Sequence, residues 1–145
     1  MKIYRILMIF IFSFFIINTG NYGNARVLQV VSVYDGDTFK ANLKDLPSII
    51  GYEISIRIKG IDTPELKANN IDVKSLAYKA RDYTRSQLTN ANIIILSNIE
   101  RGMYFRIIAD VWYDNTNLAS NLIKYKYALP STSRCNENDF IKLLK

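Results

Sequence analysis

The 145 residues carry 19 Lys and Arg against 13 Asp and Glu, a net charge of +6, and 49% of them are hydrophobic. That length fits one domain, and the basic excess suits a polyanionic partner without requiring one. With no histidine and Cys135 as the one cysteine, Ser-His and Cys-His catalysis, His-ligated zinc and any disulfide within these residues are excluded. Chemistry must come from carboxylates, Arg, Lys, Tyr or an oxygen-ligated metal.

Residues 1–25 read as a leader. Lys2 and Arg5 form a basic start, and an apolar run of 12 residues from Ile6 to Ile17 follows, interrupted by Ser13. Gly23-Asn24-Ala25 then places small residues at the −3 and −1 positions of a cleavage site. This is the layout of a secretory signal peptide, and the run is short for a spanning helix of roughly 20 residues. Export to periplasm or medium is the expectation, with an uncleaved N-terminal membrane anchor as the alternative. Residues 26–145 remain; +6 less the two leader charges leaves +4.

Arg26 to Val33 is rich in β-branched residues and reads as a strand. Tyr34-Asp35-Gly36-Asp37 is a turn, Thr38 to Leu43 alternates as a second strand, and Lys44 to Gly51 reads as a loop. From Tyr52 to Ile61, Ile54, Ile56 and Ile58 alternate with Ser55, Arg57 and Lys59. That period of two predicts a strand with the isoleucines inward and Arg57 on the other face. Pro64 ends it within Asp62-Thr63-Pro64-Glu65. Leu66 to Val73 reads as loop and Ser75 to Leu88 as a helix capped by Ser75. Ile93 to Leu96 and Arg106 to Tyr113 are further strands, separated by a turn region over 98–105. Leu118 to Tyr127 is a second helix, 130–138 a loop, and 139–145 at most a short last helix. Three strands, a helix, two strands and a helix fit a five-stranded Greek-key barrel of the OB type with packed helices, an α+β fold.

Two acidic turns stand at strand ends, Asp35-Gly36-Asp37-Thr38 and Asp62-Thr63-Pro64-Glu65. A hard divalent cation takes several such oxygens. Taken alone, Asp-Gly-Asp-Thr is far more often an ordinary hairpin turn and Asp-Thr-Pro-Glu often a helix start. Arg57 and Arg106 can hold phosphate in two-pronged fashion, or can be solvated strand residues.

Taken together these motifs resemble the staphylococcal nuclease (thermonuclease) family. The carrying residues are Asp35 to Thr38, the block Arg57-Ile58-Lys59-Gly60-Ile61-Asp62-Thr63-Pro64-Glu65, Ala77 and Ala80, Tyr104-Phe105-Arg106, and a looser match from Ala119 to Ala128. The resemblance implies a small domain over 26–145, with a short C-terminal end, that hydrolyses phosphodiesters of DNA and RNA to 5′-hydroxyl and 3′-phosphate ends. It implies Ca2+ bound by Asp37, Asp62 and the Thr63 carbonyl. Glu65 would activate water, Arg57 and Arg106 would hold the scissile phosphate, and Tyr104 would bond a terminal phosphate. The expected partner is nucleic acid, preferably single-stranded, and the expected state is a monomer with no protein partner. A membrane would be involved only if the leader stays uncleaved. Phe105 stands where the family has Gly, which bears on where Arg106 points, and Gly102 and Met103 stand where Asp and a basic residue are frequent. The rival readings are a catalytically weak or inactive OB-type nucleic-acid-binding module, and an exported domain that binds a protein or acidic glycan through charge.

Overall fold

The computed structural model describes residues 22–131 and 134–145. The expected leader falls almost wholly outside them. Among the described residues no helix is long and apolar enough to cross a membrane.

The first two strands, β1 (Ala25–Val33) and β2 (Thr38–Leu43), form an antiparallel pair joined through the first acidic turn. Register shifts between Val27 and Gln29 and between Val30 and Ser32 bend β1, as bulges do. The bend lets β1 also pair at its start with β5. A one-turn helix α1 (Ser48–Gly51) follows within the segment expected to be loop. Next come β3 (Ile54–Ile58) and the two-residue β4 (Ile61–Asp62). One strand was expected over 52–61. Gly60, at φ +76°, divides it, because left-handed backbone cannot continue a ladder and Gly adopts it at little cost.

The long helix α2 (Ile71–Asn90) begins four residues before the expected start. Asn70, not Ser75, is its cap, accepting from the N–H groups of Asp72 and Val73. Its buried side is Val73, Leu76, Ala77, Ala80, Thr84 and Leu88, the three- and four-residue spacing of one helix face. Strands β5 (Ile94–Arg101) and β6 (Ile107–Tyr113) pair antiparallel, and β7 (Thr116–Asn117) adds to the edge of β6. Helix α3 (Leu118–Lys124), β8 (Leu129–Pro130) and α4 (Glu137–Leu143) complete the chain. A reciprocal capping box of Asn136 and Asp139 starts α4 earlier than expected.

The strands run β3-β2-β1-β5-β6, and a parallel pairing of β3 with β6 closes the ring. This is the five-stranded OB-type barrel, in which closure removes the sheet edges. Phe39, Ala41, Ile56, Leu96, Ala109, Val111, Leu118 and Leu122 fill the centre with no exposure. Each large apolar side chain buried there contributes about 1.5–3 kcal/mol. Ile56 and Ile58 are the inward residues of β3, so Arg57 faces out.

Candidate active site

The two acidic turns meet at one end of the barrel, and a single arginine joins them. Thr38 is the Cα partner of Arg57, and the Ile58 N–H donates to the Asp37 carbonyl at 2.8 Å. This pairing sets the Arg57 side chain beside Asp37. Its Nη1 donates to Asp37 Oδ1 at 2.6 Å, and its Nη2 to Asp62 Oδ1 at 2.5 Å and to the Ile61 carbonyl at 3.5 Å. The other oxygen of Asp37 accepts from the Thr63 N–H at 2.9 Å and its hydroxyl at 3.1 Å. Asp37 Oδ1 also accepts from the Thr38 hydroxyl at 2.9 Å. Asp37 is therefore buried, at 1% exposure, yet fully hydrogen-bonded, which is what makes a buried carboxylate tolerable.

Helix α2 clamps the first turn. The Thr84 hydroxyl donates to the Gly36 carbonyl at 2.6 Å. A Cβ at Gly36 would lie 2.8 Å from both Ala80 Cβ and Thr63 Cγ2. Glycine is needed here for close approach, and the approach locks the two turns against the helix. The second turn is held by the antiparallel pairing of Ile61 and Asp62 with Pro130 and Leu129. The Cys135 N–H reaches Asp62 Oδ2 at 2.5 Å.

The charges at this cluster do not balance. Three carboxyl groups, Asp35, Asp37 and Asp62, surround one guanidinium. Burial pushes the Asp35 carboxyl up to about 7; the Asp37 charge pushes the same way, while the Asp37 N–H and Arg57 charge pull back. Burial lowers the Arg57 pKa, but the Asp37 charge and the hydrogen bond that Arg57 donates to Asp62 outweigh it, so its pKa is raised above the ordinary value. An excess of buried negative oxygen is the environment a hard cation compensates, so the donor chemistry fits Ca2+. Among the described residues no group of three or more acidic or cysteine side chains converges tightly enough to hold a metal unaided. Asp37 and Asp62 would be its carboxylate ligands, and backbone oxygen and water would have to supply the rest.

Of the residues singled out from sequence, Asp37, Arg57, Asp62 and Thr63 are in direct contact. Glu65 is on the same turn, half-exposed, with its carboxylate paired to Arg134. Arg106 lies on the outer face two residues before Ile108, the Cα partner of Arg57. It makes no ion pair among the described residues, and its Nε is buried without a hydrogen-bond partner. Tyr104 stands clear of the cluster, 93% exposed. Sequence reasoning passed over Asp35 as a charge partner, Thr84 as a clamp, and Arg134 and Cys135 as neighbours of Glu65 and Asp62. Asp35 was visible in its own motif; the others come from segments far away along the chain.

The turn carrying Tyr104 has its own geometry. The Arg106 N–H donates to the Met103 carbonyl at 3.2 Å, and the Gly102 N–H to the Arg106 carbonyl at 2.7 Å. Tyr104 and Phe105, the central pair, have φ of +57° and +59°. Positive φ at both positions is the type I′ arrangement, normally filled by Asn-Gly. For residues with a Cβ the left-handed region costs about 1–2 kcal/mol each.

A cleft of about 290 Å³ lies elsewhere, lined by Asn92, Ile95, Trp112 and Asp114 among others, and shares no residue with the acid cluster. The Asp114 carboxylate in it is already taken by the Asn92 and Ile93 N–H groups.

A closed OB-type barrel with a guanidinium bridging two buried aspartates at its rim is the framework of a staphylococcal-nuclease-like domain. Comparison with known proteins agrees: residues 55–144 match the family described as staphylococcal nuclease homologue, and the chain belongs to that family. A thermonuclease of Staphylococcus hyicus is 31% identical over 102 residues, covering 70% of this chain and 57% of that protein. An uncharacterised protein of Methanocaldococcus jannaschii is 32% identical, covering 69% of this chain and 56% of its own length. The chain thus spans a little over half the length of both relatives.

Proposed function

We propose that this protein is an exported, Ca2+-dependent nuclease that hydrolyses DNA and RNA, preferring single strands, to 5′-hydroxyl and 3′-phosphate ends. The observation that carries this reading is the Asp37–Arg57–Asp62 bridge, a buried charge cluster that barrel packing alone does not call for. Arg57 has five N–H donors. Three are turned to Asp37, Asp62 and the Ile61 carbonyl, leaving two for a scissile phosphate. Its carboxylate partners hold the fork in place before substrate arrives. Arg106, with an unpartnered Nε, supplies a second guanidinium from the residue just before the neighbouring strand β6. Both cations act most strongly on the crowded, highly charged transition state, where the phosphoryl group carries more negative charge than in the ground state. Glu65, released from Arg134, accepts the proton of the attacking water. The new P–O bond forms as the bond to the 5′ oxygen breaks, and that oxygen takes a proton from a solvent water to leave as a hydroxyl, while Glu65 returns its proton to solvent. When bound at Asp37 and Asp62, Ca2+ would polarise a phosphoryl oxygen as a Lewis acid. The likeness to a thermonuclease supports this reading, and the leader pattern supports export.

One observation favours a second reading. Both oxygens of Asp37 and of Asp62 already accept hydrogen bonds, and Glu65 is held by Arg134. If these contacts persist, the domain is an OB-type module that binds nucleic acid without cutting it. Incubating the full chain with single-stranded DNA in calcium or in chelator decides between them. Calcium-dependent cutting with 3′-phosphate products supports the nuclease. Retention of intact DNA under both conditions supports the binding module.

A further inference from the structure

The Met103–Arg106 turn is an unusual place for three large apolar side chains. Met103, Tyr104 and Phe105 are 71%, 93% and 74% exposed. The exposure is not a by-product of an easy turn, because Tyr104 and Phe105 both occupy left-handed backbone that a glycine would adopt without strain. Strain of this kind persists where the surroundings enforce it and clusters at functional surfaces. The turn is pinned by its two backbone hydrogen bonds. It is also flanked by positive charge: the Arg101 guanidinium lies 5.8 Å from the Phe105 ring centre, and Arg106 follows directly. Phe105 is three residues from Ile108, the strand partner of Arg57, and two from Ile107, where β6 begins. Exposed aromatic rings beside cations, on the turn that leads into the strand paired with Arg57, match how single strands are held, by stacking of bases and by charge on the backbone.

We propose that Phe105, with Arg101 beside its ring, is a stacking shelf for an unpaired nucleobase next to the phosphate held at Arg57. This rests on the nucleic-acid reading above and deepens it, because it makes single-strandedness a requirement of the turn and not of the acid cluster. A base inside a duplex already stacks on both faces and offers none to the ring. The shelf tolerates any base, since every base has a π face.

The test compares two fluorescent oligonucleotides of equal length and phosphate count, one single-stranded DNA and one abasic throughout, binding to the full chain in chelator. Wild type should bind the base-bearing strand roughly tenfold more tightly. Phe105→Gly should erase most of that preference, read as the ratio of the two affinities, while raising Tm by relieving the turn. Phe105→Trp should keep the preference. Equal affinity of wild type for both strands, or a preference untouched by Phe105→Gly, overturns the shelf. So does Phe105-dependent sedimentation with anionic phosphatidylglycerol vesicles in the absence of any base preference, which would assign the turn to a lipid surface. Cutting in calcium is scored separately. Cutting without base preference removes the shelf and keeps the nuclease, whereas base preference without cutting keeps the shelf on a binding module. Failure to bind either strand overturns both.

Discussion

Arg57 Nη1 and Asp37 Oδ1 lie 2.6 Å apart, joining β3 to the turn that begins β2 through an ion pair whose carboxylate is almost wholly buried. The same guanidinium holds Asp62. Two acidic turns separated by more than twenty residues are thus fixed to each other by one planar fork. Arg57→Lys keeps the charge but loses that fork. Turnover of single-stranded DNA at saturating calcium should fall about two to three powers of ten, with circular dichroism unchanged. Because the contact is worth most in the transition state, kcat should fall more than KM rises. Near-wild-type turnover would remove Arg57 from the mechanism.

Asp37→Asn tests the metal side of the cluster. It removes charge while keeping an oxygen that accepts from Thr63. The calcium-induced rise in Tm should shrink and shift to higher calcium, since stabilisation by a ligand follows its concentration relative to Kd. Part of the lost activity should return at high calcium. Robust cutting by this variant in chelator would show that the reaction does not pass through a metal at Asp37.

Asp35 gives the cluster a pH dependence of stability. Its folded-state pKa is raised to about 7 from the usual 3.8, chiefly by burial and then by Asp37. The folded state therefore binds this proton more tightly than the unfolded chain does. Sign follows from linkage: the protonated carboxyl is tolerated, and stability falls as pH rises from about 4 through 7. In chelator, Tm should be lower at pH 8 than at pH 5, and Asp35→Asn should flatten the curve over that interval. Calcium should flatten it also by compensating the charge. A Tm that rises from pH 5 to pH 8 in chelator, unaltered by Asp35→Asn, would refute this assignment.

The barrel was legible because its signals are local. The alternation of Ile54, Ile56 and Ile58 about Arg57 fixes which face the arginine takes, and β-branched runs mark β1 and β6. The divided strand at Gly60 and the early start of α2 were missed for a physical reason. A single left-handed residue and an asparagine cap act over one or two positions, below the scale at which periodicity speaks. The two acidic turns were legible as motifs, and the structure brings Asp37 and Asp62 to Arg57 and Thr63 to Asp37. The Arg134–Glu65 pair was not, because it depends on how β8 returns along β4, a long-range pairing with no sequence period. Arg106 is the instructive intermediate case: the strand it was expected to open begins one residue later, at Ile107, and its orphaned Nε could be seen only in three dimensions.

The contact between α2 and the first acidic turn offers a last test, of positioning rather than chemistry. Thr84 is fully buried and donates its hydroxyl to the Gly36 carbonyl. Thr84→Val has nearly the same shape but leaves that buried carbonyl without its partner, costing about 1–3 kcal/mol. Gly36→Ala acts from the other side of the same contact. The new methyl would lie 2.8 Å from Ala80 Cβ and Thr63 Cγ2, neither of them the end of a flexible chain. The turn must therefore lift from the helix, at a cost of about 1–3 kcal/mol. Lifting it carries Asp37 away from Thr63 and Arg57, so calcium affinity should fall in Gly36→Ala even under conditions where the variant is fully folded. Thr84→Val, which keeps the packing, should lose stability with a smaller loss of calcium affinity. Urea titration gives the stability change, and a calcium titration of Tm gives the affinity. Equal calcium affinity in Gly36→Ala and wild type would mean that the turn, and not its seat on α2, sets the geometry of the carboxylates.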